Sequence, residues 1–247
     1  MLAGTVAAND ACKTILRQSQ TELHNLTELV ENRRPLDHIW LFAIADRANI
    51  CLSFDNKYSA SARMLQRIEF GEVDVLSGAS KTAERERFAQ FTLPYRNEAT
   101  LFYVMKNRVA EFSRYKTLDD FVNAGHTLIS MRSSYLGSEF GALRESLLKS
   151  DRLIEITMDD QYFSLLRLRR ADVAVATDQL LGTLPRYAPD VQPLPTPLHI
   201  APVHLMLSKK TVSQHDMQQL NTAIQSLVAE KFDPAKLIEK QIKKTKP

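Results

Sequence analysis

Arg85 closes a segment dense in hydrogen-bond donors, Gly71-Glu72-Val73-Asp74-Val75-Leu76-Ser77-Gly78-Ala79-Ser80-Lys81-Thr82-Ala83-Glu84-Arg85. A guanidinium presents its N–H groups as a planar fork and can hold one carboxylate through two parallel hydrogen bonds. The Ser77 and Ser80 hydroxyls and the Gly78 backbone add donors around it. Such a set suits a small anion. Further along, Ser133 and Ser134 follow Arg132, and Thr177 and Asp178 follow an apolar run. The residues alone leave a second reading open, in which Arg85 pairs with Glu84 or Glu86 at the surface. His24, His38, His126, His199, His204 and His215 have no metal-ligand spacing. The chain has no G-x-S-x-G elbow, P-loop or G-x-G-x-x-G. The expected chemistry is therefore recognition of a solute, with no metal, no cofactor and no catalytic residue.

These groups can act together only if the fold brings them to one place. Apolar periodicity reads strand, helix, strand, helix, strand through the first part of the chain. Residues 13–17, 51–54 and 73–76 are the strands, and a helix opens at Pro35-Leu36-Asp37 with Leu36, Ile39, Trp40, Ala43 and Ile44 at helical spacing. A second helix covers 59–70 and stops at Gly71. This order predicts a parallel sheet with right-handed crossovers, and ligands bind outside the carboxyl ends of such strands. Residues 77–80 then face the cleft with free backbone N–H groups.

A second unit has strands at 101–105, 127–131, 152–156 and 173–176 and helices at 117–123, 136–149 and 160–169. Pro185, Pro189, Pro193, Pro195, Pro197 and Pro202 exclude helix and predict an extended connector before a strand at 203–208 and a helix at 213–231. The expected fold class is α/β with two lobes, each a mostly parallel sheet flanked by helices. Lobe 1 is expected at 11–96 plus 203–247 and lobe 2 at 97–202, with crossovers near 96–99 and 200–203. Two connections between two lobes make a hinge, and a hinge implies a cleft.

Composition is compatible with this plan. The 247 residues are 44% hydrophobic and 25% charged, with a net charge of +3, enough chain for two lobes with cores of their own. The basic runs Arg167, Arg169, Arg170 and Lys240, Lys243, Lys244, Lys246 read as a solvated face and a tail, so nucleic acid is not an expected partner. No apolar run approaches the roughly 20 residues that span a bilayer. Residues 1–10 read as a signal-peptide remnant or a disordered N-terminus. Cys12 and Cys51 both fall where their strands begin, at one edge of the sheet. They are either a bridged pair, which would indicate an oxidising compartment, or two separate thiols.

The Gly71 to Arg85 segment, followed by Phe91-Thr92-Leu93-Pro94-Tyr95, resembles the family 3 extracellular solute-binding proteins, receptors that feed polar amino acid ABC transporters. The family pattern G-x-[ILV]-D-[ILV]-[ILV]-x-G-x-[ST]-x-T-x-E-R, then F-[ST]-x-P-Y, is matched without a gap. In outline the resemblance extends from 35 to about 230. It implies the type II periplasmic binding fold, a periplasmic location, a monomer, a small anionic or zwitterionic solute and an inner-membrane ABC permease as partner. It makes Arg85 the ligand-carboxylate residue and brings in Ser77, Gly78, Ser80, Ser133 and Ser134. Paired cysteines in the first two strands resemble one branch of the family.

The chain departs from the family at three places. Arg132 replaces the glycine of a Gly-[ST]-[ST] turn, which would add a second cation to the cleft or turn outward. Thr177 stands where an Asp usually meets the amino group. Either Asp178 takes that part through a one-residue bulge, or the ligand has no ammonium. Residues 18–34 lack the usual sandwiching aromatics, leaving Tyr58, Tyr95 or Tyr135 as substitutes. Two other functions belong to this fold: ligand sensing for a signalling pathway, and cyclic-acid dehydration, for which Asp178 or Glu139 would supply the carboxylate.

Overall fold

In the computed structural model the described residues are 14–19, 36–55, 61–158, 160–182 and 188–234. Cys12, Tyr58, residues 1–10 and the C-terminal lysines lie outside them. The first unit comprises β1 (Thr14–Ser19), α1 (Leu36–Arg47), β2 (Ile50–Asp55), α2 (Ser61–Phe70), β3 (Val75–Ala79), α3 (Ala83–Glu86) and β4 (Ala89–Phe91). β5 (Arg96–Met105) leads out of it. There follow α4 (Val109–Phe112), α5 (Leu118–Asn123), β6 (Leu128–Met131), α6 (Ser138–Lys149), β7 (Leu153–Ile156), α7 (Asp160–Arg167), β8 (Val173–Thr177) and β9 (Val191–Pro193). β10 (His199–Ser208) returns the chain, and α8 (Gln214–Ala229) follows it.

β1 and β2 pair in parallel, as do β7, β6 and β8 in that order. β10 runs antiparallel to β3, β4 and β5, and β5 antiparallel to β8 and β9. Among the described strands, parallel pairing is thus limited to β1–β2 in the first unit and β7–β6–β8 in the second; β3, expected beside β1 and β2 in one parallel sheet, pairs antiparallel with β10 instead. Residues 96–100 of β5 pair with 199–203 of β10. Beyond that stretch β5 turns to β8 and β9, and β10 to β3 and β4.

The hydrogen-bonded ladder is continuous through these strands, yet the apolar cores on either side share no residue. Val203, Leu205 and Leu207 of β10 pack on α1 and on the α8 face formed by Met217, Leu220, Ala223, Ile224 and Leu227, while Met206 faces the other way toward Ile68 of α2. In β8, Val173 and Val175 meet Phe102, Phe121 and Phe140, whereas Ala174 and Ala176 meet Tyr103, Ile129 and Phe163. Alternate side chains of a strand point to opposite faces, so a strand covered on both sides reads as a continuous apolar run.

Side chains fix the element ends. Thr117 and Ser213 each open a helix with a capping box, to Asp120 and Asp216. Gly71, at φ +75°, ends α2 where a Cβ would meet Thr211 Cγ2 at 3.0 Å. Asp74 of the Gly71–Arg85 motif is a structural residue. Its carboxylate receives the Arg17 backbone N–H at 2.7 Å, Arg17 Nε at 2.9 Å, Arg17 Nη2 at 2.7 Å and Thr211 Oγ1 at 2.6 Å, tying β3 to β1 and β10. Burial disfavours its charge, but the Arg17 and Thr211 hydrogen bonds outweigh that and hold the carboxyl below its ordinary value.

Several expected bounds shift. The strand expected at 73–76 is Val75–Ala79, so Ser77 and Gly78 lie inside β3 rather than beyond it. The strand expected from 203 begins at His199 and includes Pro202. There β10 pairs, among the described strands, with β5 alone, which is where a residue lacking an N–H is tolerated.

Candidate functional site

A cavity of about 380 Å³ opens between the two units. The first unit lines it with Gln18 and Ser19 at the end of β1, with residues 76–80 of β3 and its exit, and with Arg85. The second lines it with Met131, Ser133, Ser134, Thr157, Met158, Ala176 and Thr177, which sit at or just past the carboxyl ends of β6, β7 and β8. This is where an open parallel sheet leaves its loops and unpaired backbone donors. Glu98 of β5 lies between the two contributions.

The Thr82 side chain accepts the Arg85 N–H at 3.3 Å and so caps α3, which sets where the Arg85 side chain begins. The guanidinium then donates to the Ser80 carbonyl at 2.9 Å through Nη1 and to the Ser133 carbonyl at 3.2 Å through Nη2. Arg85 thus makes a hydrogen bond from the first unit to the second, and among the described residues it has no carboxylate partner. Burial lowers its affinity for the proton, with Glu84 and Glu98 acting in the opposite sense. The surface pairing with Glu84 or Glu86 is not present; Glu86 is paired with Lys81 at 2.9 Å.

Ser133 has a left-handed backbone, φ +68°. Arg144 of α6 holds the turn around it by donating to the Ser134 carbonyl at 3.0 Å and the Met131 carbonyl at 3.1 Å. Arg132 is not on the cavity wall. It is largely exposed and pairs with Glu155 at 3.3 Å, so it adds no second cation to the cleft.

Asp178 is also displaced from the expected position. It opens a 3₁₀ turn after β8, where its carboxylate receives Arg96 Nη1 at 3.2 Å and the Ala99 N–H at 3.2 Å, and it does not line the cavity. Thr177 and Gln179 on either side do. Glu139 is exposed in the first turn of α6, away from the cavity. The Gly78 N–H is not free as expected, since it donates to Tyr95 Oη at 2.7 Å. Tyr95 is buried, donates in turn to Asp37 at 2.7 Å, and is no part of the wall; Tyr135 is, and stacks edge-on against His199.

Beneath the cavity lies an ion cluster. Arg96 holds Asp37 with two bonds of 2.8 Å and reaches Asp178 and Glu98 at 3.2 Å. Burial works against the Arg96 charge, but the Asp37 bonds and the three carboxylates prevail and raise it above its ordinary value. Glu98 accepts Gln179 Nε2 at 2.9 Å. Its burial pushes the carboxyl up to about 7, Gln179 and Arg96 opposing, Asp37 and Asp178 reinforcing. Gly78 has φ +68°, and a Cβ there would meet Gln179 Nε2 at 2.7 Å and Asp37 Oδ2 at 2.8 Å, so glycine is what lets the wall close over the cluster.

Glu98, Gln18, Ser19 and Gln179 were not singled out from sequence. A signal existed for one of them: Arg96 and Glu98, two apart, share a face of a strand in the segment expected to join the lobes. Among the described residues no group of acidic, His or Cys side chains is arranged to hold a metal ion, and no helix is long and apolar enough to cross a membrane. No described cysteine is free, and Cys12, the partner expected for Cys51, lies outside the described residues.

No protein-family model matches the chain, and neither does any curated protein sequence. Solved structures do. An ancestral arginine-binding protein bound to glutamine is 16% identical, with TM-score 0.68 over 93% of this chain and 97% of that one. A histidine kinase sensor domain with similarity to periplasmic binding proteins is 16% identical, with TM-score 0.67 over 94% and 96%. The amino acid ABC transporter substrate-binding protein AbpA from Streptococcus pneumoniae, bound to L-arginine, is 20% identical, with TM-score 0.65 over 84% and 83%. With two α/β units, paired crossover strands and a cavity at the strand ends, the chain has the fold of the type II periplasmic binding proteins, as amino acid substrate-binding proteins of ABC transporters do.

Proposed function

We propose that this chain is a periplasmic solute-binding receptor that closes on a small carboxylate-bearing solute, an amino acid or related anion, and delivers it to an ABC permease of the inner membrane. The observation that carries the reading is Arg85: a largely desolvated guanidinium on the cavity wall, bonded among the described residues to the carbonyls of Ser80 and Ser133 and to no acid. A ligand carboxylate supplies the missing charge, and Ser77, Ser80, Ser133 and Ser134 surround it with hydroxyls. Binding proteins among the structural neighbours support the same class.

In this reading residues 11–96 plus 203–247 and residues 97–202 are the lobes, and they move about the paired stretches of β5 and β10. The solute meets the Arg85 lobe first, and closure adds Ser133 and Ser134 and excludes water, which strengthens each charged contact. The chain acts as a monomer and binds without catalysing. The Cys12–Cys51 bridge belongs to the same proposal, since it suits an oxidising compartment.

The test is calorimetry with a panel of amino acids, dicarboxylates and small peptides. Arg85→Ala is expected to weaken the best ligand by about 2–4 kcal/mol, the loss of one charge-assisted bidentate pair. Unchanged affinity would remove the assignment. The kinase sensor domain, which this chain matches over 94% of its length, favours a second reading in which the same clamp reports the solute to a membrane-bound signalling partner. Permease and ATPase genes beside the gene for this chain support transport; a kinase or cyclase gene supports sensing.

A further inference from the structure

The cavity holds acceptors as well as donors. Gln18, only 3% exposed at the end of β1, lines it with Oε1 unpartnered. A buried amide oxygen without a donor is costly unless something fills the place. Glu98, 7% exposed, also lines it. Its Oε1 accepts from both Gln179 and Arg96, and Oε2 receives no hydrogen bond from any described residue. Asp178, the acid that the sequence position suggested, is already engaged by Arg96 and the Ala99 N–H, and Thr177 has no charge.

Resting on the reading given above, we propose that Glu98 is the specificity-determining acid of this cleft: Glu98 Oε2 and Gln18 Oε1 receive the ammonium group of a zwitterionic solute whose carboxylate is held by Arg85. Charge balance favours this. Arg96 is one cation facing three carboxylates, those of Asp37, Asp178 and Glu98. A ligand ammonium brings a second positive charge to that cluster, and it does so where Arg96, already committed to Asp37 by two bonds, leaves Glu98 with a single long contact. Burial of Glu98 raises its carboxyl to about 7, and a cation beside it favours the ionised form. Recognition of the amino group thus passes from the end of β8, where Thr177 stands, to the crossover strand β5.

The experiment compares each proteinogenic L-amino acid with the same acid lacking the amino group, L-glutamate with glutarate for example, on wild type, Glu98→Gln and Gln18→Leu. Glutamine at 98 keeps an oxygen for Gln179 and Arg96 while it removes the charge and puts an amide N–H donor in place of the accepting Oε2, and thermal melting verifies that the variant is folded. Wild type is expected to prefer the amino acid. Glu98→Gln should weaken that amino acid roughly 10- to 100-fold and its des-amino partner less than about threefold, while Gln18→Leu weakens the amino acid roughly 2- to 10-fold without touching the Arg96 cluster. A Glu98→Gln protein with the wild-type preference overturns the assignment, as does a wild type that binds the des-amino acid equally well. Either result leaves the carboxylate site of Arg85 standing. Wild type binding neither class is a failure of the receptor reading itself, and it is seen before any variant is made.

Discussion

Replacing Arg96 by methionine tests whether the ion cluster below the cavity holds the crossover strands in place. The Arg96 side chain is 11% exposed and that of Asp37 2%. Asp37 now receives two guanidinium bonds of 2.8 Å and the Tyr95 hydroxyl at 2.7 Å. Methionine fills much of the volume of arginine but donates nothing, so Asp37 keeps only Tyr95 and the favourable start of α1, and Asp178 and Glu98 lose their shared cation. Breaking a buried pair by removing one partner costs about 3–5 kcal/mol, because the other charge stays buried and uncompensated. For a chain of this length each kcal/mol moves Tm by about 2–4 °C, so a fall of roughly 6 to 20 °C is expected. Thermal melting measures that fall, and urea unfolding followed by both circular dichroism and Trp40 fluorescence gives the free-energy loss and reports whether the two units unfold together. The cycle is completed with Asp37→Asn: the double variant should be more stable than Arg96→Met alone, because no unpaired carboxylate is left at position 37. A loss below about 1 kcal/mol for Arg96→Met, or a double variant no better than it, would refute the argument that Arg96 compensates a buried charge.

Gly78→Ala should destabilise the chain by about 2–5 kcal/mol, combining the left-handed backbone with overpacking, because Gln179 can swing aside but Asp37 is held by Tyr95 and Arg96; a melting temperature within about 2 °C of wild type contradicts the close approach. Acid titration of stability tests Asp74. Its folded value is depressed, so its contribution is present above the ordinary carboxylate value and is lost as pH falls through the folded one. Asp74→Asn should therefore be less stable than wild type near neutrality, with the gap narrowing in acid; a constant gap excludes the Arg17 linkage. Intact mass under native and reducing conditions checks the Cys12–Cys51 bridge. A gain of two hydrogens on reduction is expected, and no gain means two thiols.

Much of the site's first half was legible in sequence because its residues are near neighbours along the chain. Ser77, Gly78, Ser80, Thr82 and Arg85 occupy one strand end and one short helix, so local rules fix their geometry: Thr82 caps α3 and Gly78 takes a positive φ. The continuous apolar run of β8 and the helices opening at 117 and 213 were readable for the same reason. The strand ends were less so. Register decides them, and register depends on partners far away in sequence, as at His199–Val203 against β5.

Charges separated in sequence could not be assigned that way. Sequence left Arg132 and Asp178 as cleft candidates because each is near a motif position, but a long side chain goes to whichever opposite charge the fold brings within reach. Glu155 of β7 takes Arg132, and Arg96 of β5 takes Asp178. Glu98 shows the converse. Arg96, two residues away, marks it as a charged neighbour but not as a cavity residue, and it becomes one because β5 runs through the sheet between β10 and β8 and Gln179 folds back onto it. Sequence determined the α/β order, the two-part layout and the Arg85 segment, since these follow from periodicity and short-range chemistry. Tertiary structure alone decided which acids meet which bases, because Coulomb energy and desolvation depend on distance and burial in space rather than along the chain.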